Sequence, residues 1–253
     1  MHGKFVWCDY VSNDARKAQG FFAEVFAWST KTAQLPRGSY TMIANRGDTI
    51  GGYSEPTEAK PHAHWLVHLA VDDAHASAEQ VTSHGGRVVM RPMQVGEHGT
   101  MAIVCDPCGA EFALWQAARP LANNGDYTGA DGNWIWTELY TSDFDRTLAF
   151  YTAIGHFEVQ HMAKKRDAPG PDRYEILATG GKGVAGVMHM PGAPQMWMPY
   201  VKAANVDQTV ERAKRLGADI KHAPETLPNV GRLAVFGDPL GVPTGVLLPA
   251  PNT

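Results

Sequence analysis

VWCDYVSNDARKAQGFF, residues 6–22, returns later in the chain as IWTELYTSDFDRTLAFY, residues 135–151. Trp7 falls on Trp136, Asp9 on Glu138, Asp14 on Asp143 and Phe21 on Phe150. A second stretch, His64–Trp115, aligns without a gap with Met196–Leu247. There Trp65 meets Trp197, Gly85 meets Gly217, Pro92 meets Pro224, Gly99 meets Gly231, and Asp106-Pro107-Cys108-Gly109 meets Asp238-Pro239-Leu240-Gly241. So many matches at one offset mark a duplication. Each copy spans about 115 residues, an ordinary domain size.

The quoted stretch reads as a strand followed by a helix. Lys4–Val11 is rich in β-branched and aromatic residues, the composition of a strand. Ser12, Asn13 and Asp14 offer oxygens that cap a helix. Ala15, Ala18, Phe21, Phe22, Val25 and Phe26 recur at helical spacing, predicting an amphipathic helix of about three turns. Phe144, Thr147, Leu148, Tyr151 and Ile154 repeat the pattern. Tyr40–Ala44 and Ile50–Tyr53 are predicted strands around the Asn45–Asp48 turn. The order then recurs within the copy. His64–Val71 reads as a strand, and Asp72 and Asp73 cap a helix running to about His84, which Gly85-Gly86 ends. Arg87–Met90, Met101–Cys105 and Glu111–Trp115 read as three more strands. Each copy is two βαβββ modules, and the predicted fold class is α+β. With helices on one face of the sheet, the other face must curve into a cavity or meet another sheet.

Ala117–Asn133, with Pro120, Asn123, Asn124, Gly125, Gly129 and Gly132, reads as a linker. The expected organisation is a first domain at 1–118, a linker at 119–132 and a second domain at 133–253. Apolar residues at 44% and charged residues at 19% fit a folded globular chain rather than a disordered one. A formal charge of −4 leaves no basic excess for nucleic acid or an anionic membrane. No apolar run spans a bilayer, and the first ten residues lack a secretory pattern. Three cysteines form no disulfide framework. A reducing, cytoplasmic setting is the expectation.

The motifs together resemble the vicinal oxygen chelate superfamily, which holds glyoxalase I, extradiol dioxygenases, fosfomycin-modifying enzymes and bleomycin-sequestering proteins. The resembling features are strand–Ser/Thr-x-Asp–helix ending in Phe-Phe or Phe-Tyr, Val71-Asp72-Asp73 before the second helix, and Asp-Pro-x-Gly before the last strand. The resemblance implies a curved eight-stranded cup-like sheet in each domain, helices on its convex face, and a divalent metal in the cup. Metal-dependent members use His, Gln or Glu on the first strand of each module and Glu on its last. Here those positions hold Trp7 and Trp136, Leu66 and Met198, and Ala113 and Gly245. None donates usefully to a hard or borderline divalent ion, so no metal or other cofactor is expected.

Strand alternation states what else faces the cup. With Trp7 inward, so are Asp9 and Val11; with Ala113, Glu111 and Trp115; with Leu66, His64 and His68. The second copy offers Trp136, Glu138, Met198, Tyr200 and Lys202. The candidate ligand-binding residues are therefore Trp7, Asp9, His68, Glu111, Trp136, Glu138 and Tyr200. This aromatic and acidic set suits a small planar or weakly cationic organic molecule.

Competing readings stand beside these. His64, His68 and Glu111 form a shifted metal site or are partly buried polar groups; the second copy has Met196, Tyr200 and Pro243 there. Asp9 and Glu138 are ligand anchors or general bases, or they satisfy neighbouring groups. Trp7 and Trp136 are stacking platforms or sheet core. Cys105-Asp106-Pro107-Cys108 has redox spacing but reads as turn filling. Tyr40 and Tyr174 read as structural, Asp106 and Asp238 as turn residues, His98-Gly99 as a loop and Lys164-Lys165-Arg166 as a solvated run. The function expected is metal-free binding of a small molecule. The alternatives are a lyase, isomerase or dioxygenase-type enzyme using Asp9, Glu138 or the shifted site, and an interaction module. The two copies pair within one chain, giving a monomer, or the chain forms a homodimer.

Overall fold

The computed structural model describes residues 2–35, 38–58, 61–120, 129–161 and 172–251. Residues 121–128 of the expected linker and the Lys164-Lys165-Arg166 run lie outside the described residues. The first copy runs β1 (Phe5–Val11), α1 (Ala15–Phe26), β2 (Ser29–Leu35), β3 (Gly38–Asn45), β4 (Asp48–Ser54), β5 (His64–Ala70), α2 (Ala74–Ser83), β6 (Arg87–Val95), β7 (Gly99–Cys105) and β8 (Glu111–Ala117). The second runs β9 (Trp134–Thr141), α3 (Phe144–Gly155), β10 (Glu158–His161), β11 (Tyr174–Thr179), β12 (Lys182–His189), β13 (Met196–Lys202), α4 (Val206–Arg215), β14 (Asp219–Leu227), β15 (Gly231–Gly237) and β16 (Pro243–Pro249). This is βαβββ four times over. Each copy forms one eight-stranded sheet, in the orders β2-β3-β4-β1-β5-β8-β7-β6 and β10-β11-β12-β9-β13-β16-β15-β14. The α+β tandem-repeat fold class read from the sequence is the one observed.

Side-chain oxygens start the helices where the sequence placed them. Asp14 accepts from the Lys17 backbone N–H at 3.4 Å, and Asp73 from those of His75 and Ala76 at 2.8 and 3.0 Å. Two strands differ from expectation. β2, Ser-Thr-Lys-Thr-Ala-Gln-Leu, is counted in the βαβββ pattern but receives no range from the sequence, because it carries no apolar alternation; it lies at a sheet edge, where a polar strand is tolerated. β6 continues past Met90 and through Pro92 to Val95. It is also an edge strand, and its register with β7 shifts between Val88 and Met90 and again between Met90 and Met93. Edges and bulges are where a strand accepts proline. Gly99 opens β7 rather than sitting in the loop with His98; its φ is +156°, and a β-carbon there would overlap the Gln116 carbonyl.

The described residues pack as two compact units, each drawing on both copies: residues 2–7, 66–120, 136–161 and 172–197 in one, and 8–35, 38–58, 61–65, 129–135 and 198–251 in the other. In the first unit Phe112 packs 5.5 Å from the Tyr151 ring, Tyr151 meets Trp197 edge-on at 5.3 Å, and Phe5 lies 4.6 Å from Trp197. The second unit has a tryptophan core. Trp134 lies 5.0 Å from Trp28 and 5.1 Å from Trp65, while Phe21 meets Phe236 at 5.9 Å. Each buried indole N–H there has an acceptor, as burial demands: Trp28 donates to the Gly132 carbonyl, Trp134 to that of Ile50 and Trp65 to the Thr244 hydroxyl. Asn45 donates to the Asp131 carbonyl and to Asn133 Oδ1. The end of the expected linker is thus tied to β3. Among the described residues, no helix is long and apolar enough to cross a membrane.

Candidate functional site

In the first unit, alternation along β9 puts Trp136 and Glu138 on one face. Gly186 of β12 stands opposite Glu138 in the parallel pairing. Tyr174, from β11, reaches across that glycine. Its hydroxyl donates to Glu138 Oε1 at 3.0 Å and accepts from Trp136 Nε1 at 3.0 Å. A β-carbon on Gly186 would overlap the Tyr174 hydroxyl. Glu138 is only 6% exposed, while Trp136 and Tyr174 are half-buried. Burial first, and then the neighbouring Glu138 charge, push the Tyr174 phenol well above its ordinary pKa, so it remains a donor.

The second unit repeats the arrangement with shorter reach. Gly52 of β4 stands opposite Asp9, the Tyr40 hydroxyl donates to Asp9 Oδ1, and a β-carbon on Gly52 would overlap that hydroxyl. Asp9 is 4% exposed. In the same unit Tyr200 pairs with Gly245, and its buried ring fills the space a side chain at Gly245 would need. Sequence reasoning set Tyr40 and Tyr174 aside as structural and passed over Gly52 and Gly186. The available signal was that both tyrosines recur at matched positions and that each β-strand partner carries a glycine.

His68, Glu111 and Trp115 belong to the first unit. His68 pairs with Ala113, and parity places Glu111 and Trp115 on the same face as Ala113. The His68 and Trp115 rings lie 6.5 Å apart, and His68 and Glu111 are buried. A cavity of about 280 Å³ opens where β5 and β8 end, lined by Val71, Asp72, Trp115, Gln116, Arg119 and Pro120 among others. Gln116 Oε1 accepts the Ala74 backbone N–H at 3.0 Å, which fixes the side chain at the cavity wall. Trp7, on β1 of the same unit, is half-buried.

Asp106 and Asp238 serve the turns, as expected, and do more. Asp106 Oδ1 accepts the backbone N–H groups of Cys108, Gly109 and Ala110 at 2.9, 2.7 and 2.9 Å, and Oδ2 accepts the Tyr151 hydroxyl at 3.2 Å. Asp238 Oδ1 accepts from Leu240 and Val242, and Oδ2 accepts the Tyr10 hydroxyl. Burial raises both carboxyl pKa values despite these donors.

A divalent ion needs several nitrogen or oxygen donors converging on one point. Among the described residues no group of three or more His, Cys, Asp or Glu side chains does so. His64, His68 and Glu111 do not assemble into one; His64 Nδ1 faces the His62 carbonyl at 2.8 Å. Among the described residues, the positions where the superfamily holds its metal carry Trp7, Trp136, Leu66, Met198, Ala113 and Gly245, whose side chains do not fit such an ion.

The sequence profile of the Glyoxalase/Bleomycin resistance protein/Dioxygenase superfamily matches residues 4–114. CFP32 of Mycobacterium tuberculosis, which bears a provisional glyoxylase name, is 32% identical over 97% of this chain and 95% of its own length. The anthracycline biosynthesis protein DnrV of Streptomyces peucetius is 29% identical over 94% of this chain and 90% of its own. Among solved structures, the Mn(II)-bound glyoxalase from Novosphingobium aromaticivorans superposes with a TM-score of 0.65 at 17% identity, covering 97% of this chain and 81% of that one. The 2,2',3-trihydroxybiphenyl 1,2-dioxygenase of Sphingomonas wittichii superposes at 0.66 and 13% identity, covering 98% and 90%. At such identities the two structures speak for the fold alone.

Proposed function

The chain belongs to the glyoxalase/bleomycin resistance protein/dioxygenase superfamily, and from that premise we propose that it binds a small planar organic molecule without the metal used elsewhere in the family. The observation that carries this reading is the cavity at the ends of β5 and β8. It offers one aromatic wall, Trp115, together with the Gln116 amide and the charges of Asp72 and Arg119. Small-molecule sites set an apolar or aromatic wall against a few convergent polar groups; here polar and apolar groups share the lining about equally. Its volume of about 280 Å³ falls just below the range of about 300–1,000 Å³ usual for ligand pockets, so it has room for one or two rings rather than four. The naming of DnrV for anthracycline biosynthesis supports an aromatic ligand. We propose that the protein works on such a ligand in the cytoplasm, with neither nucleic acid nor membrane as partner, and as a monomer.

Isothermal titration with 2-naphthol, a neutral two-ring probe, tests the reading. Saturable one-to-one binding is expected, weakened up to about tenfold by Trp115→Ala through loss of stacking. Absence of saturable binding at millimolar probe, or binding indifferent to Trp115→Ala, refutes it.

A further inference from the structure

We propose that the planar ligand held against Trp115 carries an oxyanion at its ring edge, a carboxylate or an acidic phenol, and that Gln116 and Arg119 bind it. This rests on the planar-ligand reading above and adds the chemical class of the ligand's polar group.

The class follows from the polar groups the cavity has left to offer. Much of its backbone is already paired. The Gly3 N–H donates to the Ala70 carbonyl at 3.0 Å, Ala70 to that of Lys4 at 2.8 Å, Val71 to that of Trp115 at 2.9 Å and Ala118 to that of His98 at 2.8 Å. Recognition therefore falls mainly to side chains. Gln116, in the cavity lining, is committed at one end, where Oε1 accepts the Ala74 backbone N–H at 3.0 Å. A backbone N–H only donates, so the amide has one usable orientation, and the end left for a ligand is the NH2, a donor. Tying the acceptor end to the start of α2 also lowers the entropy lost when a ligand orders that side chain. Arg119, also in the lining, carries a permanent charge and donors only. It is exposed, and among the described residues it enters no ion pair.

Asp72 is the one acid among the described lining residues. Its side chain is 81% exposed, with Oδ2 3.7 Å from His2 Nδ1. A carboxylate so open to water is screened and opposes an anion only weakly. One fixed donor and one charged donor therefore stand against one solvated acid. A negatively charged oxygen takes hydrogen bonds about twice as strong as a neutral one does. A carboxylate or phenolate oxygen lies in the plane of its ring, so one flat molecule can stack on Trp115 and present the oxyanion at its edge. A purely structural Gln116, holding α2 to β8, predicts no dependence of affinity on ligand charge.

The full-length protein is titrated calorimetrically with 2-naphthoate and with 2-naphthamidine, an anion and a cation of one two-ring outline, beside neutral 2-naphthol. 2-Naphthoate is expected to bind at least about tenfold tighter than 2-naphthamidine, the scale of one charge-assisted hydrogen bond. That ratio should shrink as ionic strength rises from about 0.01 M to about 1 M. Gln116→Glu keeps the size and an acceptor for the Ala74 N–H but turns the presented donor into an anionic oxygen, and it should erase or invert the preference. Arg119→Gln should cut the preference about threefold, the scale of an exposed charge. Should Gln116→Glu fail to fold, Arg119→Gln, at an exposed position, decides alone, and an unchanged preference there overturns the inference. Binding of 2-naphthol with 2-naphthoate no tighter than 2-naphthamidine, or a preference that survives Gln116→Glu, overturns it while leaving the planar-ligand reading intact. If no probe binds, both fall.

Discussion

Tyr151→Phe deletes a single buried oxygen, and its cost follows from what that oxygen touches. Tyr151 and Trp197 are 0% and 2% exposed, and Trp197 Nε1 donates to the Tyr151 hydroxyl at 3.0 Å. The same hydroxyl donates to Asp106 Oδ2 at 3.2 Å. Phenylalanine fills the same space but satisfies neither group. A buried polar atom left without its partner costs about 1–3 kcal/mol. Asp106 keeps three backbone donors on its other oxygen, so its share falls at the low end, while the indole N–H loses the acceptor it has here. The sum is about 2–5 kcal/mol. For a chain of this length each kcal/mol moves the midpoint by about 2–4 °C, so a fall of about 4–20 °C is expected in differential scanning calorimetry. Tyr10→Phe supplies the internal comparison. It withdraws one donor from Asp238, whereas the nearby Trp65 indole donates to Thr244 and is unaffected. Tyr151→Phe should therefore destabilise more than Tyr10→Phe. An equal or reversed order refutes the assignment of Trp197 to the Tyr151 oxygen.

Two further outcomes follow from the same interior. Asp106 and Asp238 have folded-state pKa values raised above 3.8 by burial, so between that value and the raised one the folded state holds more protons than the unfolded. Their contribution is complete below pH 3.8 and declines as pH rises through the raised values; Asp238→Asn should flatten that decline, measured by denaturant unfolding from pH 4 to 7. Expressed separately, 1–118 and 133–253 would each expose part of the core built by Trp28 and Trp65 from one copy with Trp134 and Phe236 from the other. Neither half should give a stable monomer, and light scattering after co-expression should show a one-to-one complex.

The fold was legible because its signals are local and repeated. The strand–cap–helix pattern at Val6–Phe22 needs only the periodicity of its apolar residues, and the second copy reads the same pattern again. What escaped was governed by place in the sheet. β2 is polar and β6 carries a proline, and both features become permissible only once the strands are known to be edges. No window of sequence contains that knowledge. Packing was hidden for a related reason: alignment divides the chain into copies, while burial joins Phe112 to Tyr151 and Trp65 to Trp134 across them.

The candidate site was half legible, and the pattern of success has a physical basis. Alternation assigns Asp9 and Glu138 each a face of the sheet, since a side chain's face depends only on its own strand. Their partners come from other strands, and Tyr40 and Tyr174 reach them only because a glycine lies between. The two turn aspartates carry the lesson further. Asp238 takes its hydroxyl from Tyr10 on β1, while Asp106 takes its own from Tyr151 on α3. In the alignment Tyr10 meets Leu139, and Tyr151 meets Phe22. Neither tyrosine matches its counterpart, so comparing the copies position by position makes both look dispensable. Yet the same carboxylate oxygen is met in both units. Burial fixes the requirement for a donor at that oxygen, and it leaves open which element supplies it. Repeats can therefore preserve an interaction while exchanging the residues that make it, and the invariant to seek is the satisfied atom.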